Sequence, residues 1–232
     1  DIYNSADNAV GALALASREV VQCLAKGSQR VLVYCCANLM IAADLSTGEL
    51  MKAEQPHTET IRCMAFNESK GLVATAGDDK RVVLREFPSM KVTSMGSTER
   101  KAVAVCFDST ADTVIFAEKS GEVLSRQLSD LAAPSKHVLG HISSLTDMAM
   151  TPDGRFLLTS DRDEKVRISH YPATFAIEGF CLGHSELVTC LSMVPLTDGS
   201  QGLLTGSGDG SVRLWGVPSG DLLDTLQVAE DE

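Results

Sequence analysis

Three histidines, at positions 57, 141 and 184, are spaced in a way that limits what this chain can fold into. His57 and His141 are 84 residues apart and His141 and His184 are 43 apart, so the longer interval is two copies of the shorter with one marker missing near Glu99. A self-similar period of about 40 to 45 residues belongs to arrays of small β-sheets. The intervening segments agree with that. Four residues beyond each marker an apolar position, Ile61, Val103, Leu145 or Val188, opens a short strand-like run: TIRCMAF, KAVAVCF, SLTDMAM and LVTCLSM. Each run leads through a turn (NESKG, DSTAD, TPDGR, PLTDGSQ) into two more strands joined by a tight polar turn, as in LVATAGDDKRVVLREF and LLTGSGDGSVRLWGV. Fourth strands follow turn signals such as LSTGEL and VPSGDL, and RVLVYCCANLMIAADL is an earlier, looser copy.

Four antiparallel strands repeated at this period predict an all-β protein, a β-propeller in which five blades are readable. The expected blades cover approximately 10–52, 53–96, 97–138, 139–181 and 182–228, with residues 1–232 as one domain and 229–232 as a short acidic end. Small residues recur on the first strands (Cys63, Ala65, Cys106, Cys190), which suits the innermost strand, where blades converge. No segment carries a sustained helical period.

Composition narrows the function classes. With 44 % hydrophobic and 22 % charged residues the chain is globular, and no apolar run is long enough to span a bilayer. The stretch AVGALALA (9–16) lacks the basic flank of a secretory signal and is expected to be an early strand. A formal net charge of -11 disfavours a protein that grips a phosphate backbone unaided. The seven cysteines contain no C-x-x-C pair and mostly fall in apolar runs, which predicts buried thiols in a reducing compartment.

No stretch offers convincing catalytic or metal chemistry. HVLGH (137–141) has two imidazoles four apart but lacks the helix and intervening glutamate of a zinc protease. GSGDGS (206–211) has no following lysine or helix and reads as a tight turn. Asp161, Asp163 and Glu164 form a carboxylate cluster, but Arg162, Lys165 and Arg167 neutralise it. Catalytic residues, metal ligands and cofactors are therefore expected to be absent from this chain.

The fifth repeat, GHSELVTCLSMVP…LLTGSGDGSVRLWG, resembles a WD repeat, with Gly183-His184, the turn residue Asp209 and Trp215, although Gly216 stands where that family usually has aspartate. The physical content of such a repeat is a buried relay in which histidine, Ser/Thr, aspartate and tryptophan satisfy one another. Blade five supplies His184, Thr205, Asp209 and Trp215. Blade four supplies His141, Thr159 and Asp163, with Ser169 at the tryptophan position. Blade two supplies His57, Thr75 and Asp79, with Arg85 there, and blade three has lost the relay, with Ser120 at the aspartate position. WD-repeat propellers usually close with seven blades, so the five readable here imply a fragment or an incomplete ring.

Residues 139 to 215 carry a narrower resemblance. DRDEKVR (161–167) and the run from Ile177 to His184 are similar to the WD-repeat, non-catalytic subunit of eukaryotic tRNA (guanine-N(7)) methyltransferase, with EKSGEV (118–123) as a secondary echo. The resemblance implies a heterodimer in which the partner binds S-adenosylmethionine and methylates a guanine of tRNA. The propeller would stabilise and orient that partner, meeting tRNA mainly through it, in the nucleus and possibly the cytoplasm. It also implies that a basic residue on the third strand of blade four pairs with acidic groups of the partner: Arg167 as the anchor, with Lys165 and Arg162 contributing to the field. The competing expectation is a peptide-binding adaptor or reader gripping its ligand at the channel mouth. Against it, aromatics are only 5 % and none occurs in the blade turns.

Overall fold

The computed structural model describes residues 20–51, 53–110 and 112–228; the strand expected at 9–16 and the acidic end 229–232 lie outside them. The described residues form five four-stranded antiparallel sheets, each a simple meander in chain order. The first holds β1 (Val20–Lys26), β2 (Gln29–Cys36), β3 (Leu39–Asp44) and β4 (Leu50–Met51). The second holds β5 (Ile61–Asn67), β6 (Leu72–Gly77), β7 (Arg81–Glu86) and β8 (Lys91–Ser97). The third holds β9 (Ala102–Phe107), β10 (Thr113–Glu118), β11 (Glu122–Gln127) and β12 (Lys136–Gly140). The fourth holds β13 (Leu145–Met150), β14 (Phe156–Asp161), β15 (Lys165–His170) and β16 (Ile177–Leu182). The fifth holds β17 (Val188–Pro195), β18 (Gln201–Ser207), β19 (Ser211–Val217) and β20 (Leu222–Gln227).

The first strand of each sheet is the innermost. β1, β5, β9, β13 and β17 pack against one another in that order, with no comparable packing of β17 back onto β1. Small side chains permit this convergence, since bulky ones would hold the sheets apart. The cores lie between blades, one at each successive junction. Val31, Val33 and Met40 of blade one meet Ile61, Val73 and Phe87 of blade two, and Leu158, Val166 and Ile168 of blade four meet Leu203 and Trp215 of blade five. Side-chain alternation along each strand produces two buried faces, one for each neighbouring blade.

Repeat equivalence shows where this pattern stops. Val166 and Ile168 are fully buried against blade five, whereas Val212 and Leu214, at the same places in blade five, are only half-buried. Leu226 beside them is 67 % exposed, and Leu223 is exposed as well. The five described blades therefore form a succession with four interblade cores, and among the described residues no further sheet packs on the outer face of blade five.

The structure moves one sequence marker. The residues that open β5, β13 and β17 are Ile61, Leu145 and Val188, and the third blade's equivalent is Ala102, not Val103: it pairs with Glu118 as Ile61 pairs with Gly77 and Leu145 with Asp161. Counting back four residues puts the missing marker at Thr98, not Glu99. Thr98 is buried and its amide donates to the Lys80 carbonyl, just as the His141 amide donates to the Gly121 carbonyl. A threonine in place of histidine left nothing in the sequence to mark the position.

Candidate interaction surface on the fourth blade

The relays form a scaffold beneath the surface, and blade five has all four members. The Trp215 indole N–H donates to Thr205 Oγ1 at 2.8 Å, and Thr205 Oγ1 lies 2.7 Å from His184 Nε2. His184 Nδ1 lies 2.9 Å from Asp209, whose carboxylate also accepts the Ser185 amide at 3.1 Å. With the threonine hydroxyl accepting from tryptophan, it donates to a neutral Nε2, and Nδ1–H donates to the carboxylate. The tautomer is thus assigned from its partners. Blade two repeats the chain through Thr75, His57 and Asp79. Arg85 replaces its tryptophan and is fully buried. Its Nη1 donates to the Glu54 and Met90 carbonyls, while Nε and Nη2 have no partner among the described residues.

In blade four the structure corrects the sequence assignment. His141 Nε2 meets Thr159 Oγ1 at 2.8 Å as expected, but Nδ1 meets Asp161, at 2.7 Å, and not Asp163. Asp161 is 2 % exposed, whereas Asp163 turns outward and pairs with Lys165 at 3.3 Å. β14 runs through Asp161, so residues 159 and 161 project from the same strand face and the carboxylate reaches the histidine directly. The equivalent positions in the other two relays cannot do this. Gly77 has no side chain, and a Cβ there would lie 2.2 Å from the Thr60 carbonyl oxygen; the Ser207 hydroxyl is bonded to the Glu186 carbonyl. In those blades the aspartate must come from the turn two residues later.

Blade three has an acid at this strand-terminal position too. Glu118, 2 % exposed, accepts the amides of Glu99 and Arg100 at 3.0 and 3.1 Å. It replaces the cap that Asp79 and Asp209 provide for Thr58 and Ser185.

These networks predict the pH profile of stability. Burial opposes ionisation of Asp161 and Asp209, yet side-chain hydrogen bonds, from His141 and Ser211 respectively, together with backbone amides, hold both carboxyls below the usual carboxylate range. Their contribution is present above about pH 4 and is lost as pH falls through the folded-state values. Burial also holds His57 below the ordinary histidine range, against the pull of Asp79. The unfolded chain therefore takes up a proton at His57 first, and stability begins to fall below about pH 6.5. The urea midpoint is expected to be flat near pH 7 to 8, to decline gently below about 6.5 and to drop steeply below about 4. Equal midpoints at pH 3 and pH 7 would contradict the networks.

Above this scaffold, the three cations singled out from the sequence go to different places. Lys165 lies 3.3 Å from Asp163 and 3.7 Å from Asp161. Arg167 lies between Thr159 and Phe180 in the sheet, donates from Nη1 to the Gly140 carbonyl at 3.1 Å, and keeps a buried Nε with no partner among the described residues. Ser169, where blade five has Trp215, is fully buried and its Oγ is also unpartnered. Arg213, at the matching place in blade five, has the Trp215 ring beside it at Gly183. Arg167 has no such aromatic wall. Burial works against its charge and Asp161 supports it. Arg162 is not part of this group: it is exposed and lines the channel mouth with residues of blades two and three.

The pairing also exposes residues that the sequence reading missed. Phe180 is opposite Arg167 and Leu182 opposite Lys165, so all four share a sheet face; the two apolar side chains are 38 % and 64 % exposed. Cys181 between them is buried, so the available signal was the two-residue alternation in FCL, whose outward side only the pairing decides. A cation and an aromatic next to an apolar side chain make the kind of surface on which protein interfaces concentrate their binding energy.

Comparison with known proteins follows this geometry. Residues 125–232 match the family model described as the tRNA methyltransferase TRM82 WD40 domain, and residues 48–85 match the WD domain, G-beta repeat. The chain is 36 % identical over 197 residues to the human tRNA (guanine-N(7)-)-methyltransferase non-catalytic subunit WDR4, covering 85 % of this chain and 47 % of that protein. It is 33 % identical over 198 residues to the subunit of the same name from Dictyostelium discoideum, covering 77 % of this chain and 42 % of that protein. The Drosophila grimshawi non-catalytic subunit wuho is 34 % identical over 194 residues, covering 80 % of this chain and 49 % of that protein. The chain spans about half the length of the curated relatives it matches.

Proposed function

The chain belongs to the WD-repeat proteins, and from that premise we propose that it is a non-catalytic scaffold that binds and stabilises the catalytic subunit of a tRNA (guanine-N(7)) methyltransferase. The observation that carries this reading is the blade-four face formed by Arg167, Lys165, Phe180 and Leu182, which lies within the residues, 125–232, that match the tRNA methyltransferase TRM82 WD40 domain. Arg167 presents a planar fork suited to carboxylates, and its buried Nε lacks a partner of its own. A carboxylate of the partner would pair with the accessible edge of the guanidinium, beside the Nη1 bond to the Gly140 carbonyl, while the partner's apolar side chains cover Phe180 and Leu182. Lys165, engaged with two carboxylates of its own blade, acts on the rim, where charges mainly alter the association rate.

In this reading the methyl donor, S-adenosylmethionine, and the reacting guanine belong to the partner, and tRNA meets this chain mainly through it. The complex works in the nucleus, with a cytoplasmic pool. Reconstitution tests the proposal. Catalytic subunit is mixed with tRNA and labelled S-adenosylmethionine, with and without this chain. Co-elution of the two proteins and methylation at least ten-fold above the catalytic subunit alone are expected. Separate elution with unchanged activity would end the proposal.

A further inference from the structure

From the second blade to the fifth, one position on the third strand is large in every repeat but the fourth. Register identifies it: Arg85 pairs with Val73, Arg126 with Val114, Ser169 with Leu157 and Trp215 with Leu203. Arg85 donates to the Glu54 and Met90 carbonyls, and Arg126 to Ser97, Leu131 and Ser135. Trp215 donates to Thr205. Ser169 offers only a hydroxyl, which is buried and has no partner among the described residues. Two residues earlier, on the same strand face, blades two and three carry Val83 and Leu124, whereas blades four and five carry Arg167 and Arg213. The two arginines end in different places. A Cβ on Gly183, just before the blade-five histidine, would lie 2.5 Å from Arg213 Nη1 and 3.6 Å from Trp215 Cη2, so ring and guanidinium meet over that glycine. A Cβ on Gly140, the matching glycine of blade four, would have Glu122 and His137 as its nearest neighbours, and Arg167 Nη1 reaches the carbonyl of that residue at 3.1 Å. Blade four alone thus sets an arginine beside a place that no large side chain occupies.

We propose that Ser169 is a positioning residue for the partner contact. Its small side chain leaves the place of the tryptophan ring to the Arg167 stem, so that the guanidinium lies against the strand and is fixed on the Gly140 carbonyl with one edge toward the partner. This rests on the reading of Arg167 as the anchor, and it adds the residue that prepares the anchor. Ser169 is fully buried, so it acts through the arginine and not by touching the partner. The Arg167 Nε is buried on the same strand face, as a stem lying in that place requires. A planar fork already held in one orientation loses less freedom when a carboxylate pairs with it, which strengthens the contact without adding an atom to the interface. A tryptophan at position 169 would take the place back. Its indole N–H would reach Thr159 Oγ1, as Trp215 reaches Thr205, and Arg167 would be pushed outward from the strand.

The test takes two readouts on the whole chain: exchange of the Arg167 Nε proton, followed by NMR, and affinity for the catalytic subunit, measured by titration calorimetry. In the unmodified chain the buried Nε proton is expected to be protected. Ser169→Trp should speed its exchange at least ten-fold and weaken the affinity at least five-fold. The conservative Ser169→Ala, which keeps the place open, should restore both. Ser169→Leu fills the place with a smaller apolar side chain and keeps the test decisive where the tryptophan variant does not fold. Unchanged Nε exchange in the filled variants, or undiminished affinity despite faster exchange, would overturn the proposal. Undiminished affinity in Arg167→Met would instead overturn the anchor reading beneath it.

Discussion

Replacing Asp161 with alanine is expected to lower the melting temperature by roughly 6 to 12 °C, while replacing Asp163, two residues on, shifts it hardly at all. Asp161 accepts from His141 Nδ1 and from the Asp163 amide. Its loss leaves both donors without their acceptor, at about 1–3 kcal/mol each where they are buried, or on the order of 3 kcal/mol together. For a chain of this length one kcal/mol corresponds to roughly 2 to 4 °C. Asp163 is half-exposed, and its pairing with Lys165 is a surface contact, of a kind that contributes about 0–1 kcal/mol. Asp161→Asn should fall between, because its amide oxygen can still accept from the imidazole. Calorimetry on the three variants decides the matter. A larger loss from Asp163→Ala than from Asp161→Ala would return the relay to the turn residue.

Reversing the charge at Arg167 is expected to cost at least ten-fold in affinity for the catalytic subunit, and more if the partner carboxylate is desolvated. Close interfacial charge pairs couple by about 1.5–7 kcal/mol, and about 1.4 kcal/mol is a factor of ten. Arg167→Glu also breaks the bond to the Gly140 carbonyl, so Arg167→Met is the necessary companion: it loses the same bond and keeps an apolar stem, but introduces no negative charge. Both variants should remain folded by circular dichroism and lose affinity by titration calorimetry, with Arg162→Ala close to wild type because it lies at the channel mouth. Wild-type affinity in a folded Arg167→Glu protein would remove the anchor.

The two carboxylates show how far the local sequence can be read. Thr75 and Asp79, and Thr205 and Asp209, are each four residues apart, and that spacing extends naturally to Thr159 and Asp163. The extension fails because a second carboxylate, Asp161, stands on the strand face that already points to His141, at a position where the other two relays have Gly77 and Ser207. Proximity along a strand outcompetes a turn residue that must bend back. Blade three hid its marker for a related reason. Thr98 and Glu118 occupy the histidine and strand-end positions with residue types that carry no repeat signal, and only the pairing of Glu118 with Ala102 reveals the register.

Charge was legible in the sequence as a cluster, and its division was not. Arg162, Lys165 and Arg167 are neighbours along the chain, yet a turn and a strand separate them into a channel mouth, a carboxylate-paired rim and a half-buried fork. The histidine period, the strand alternation and the turn residues determined by themselves that this chain builds four-stranded blades, because those signals arise from backbone geometry that repeats locally. Which aspartate closes a relay, which face of FCL looks outward and which cations stand together were decided by tertiary structure alone. Each depends on the register between strands and on the packing of neighbouring blades, and a shift of one residue would invert the answer.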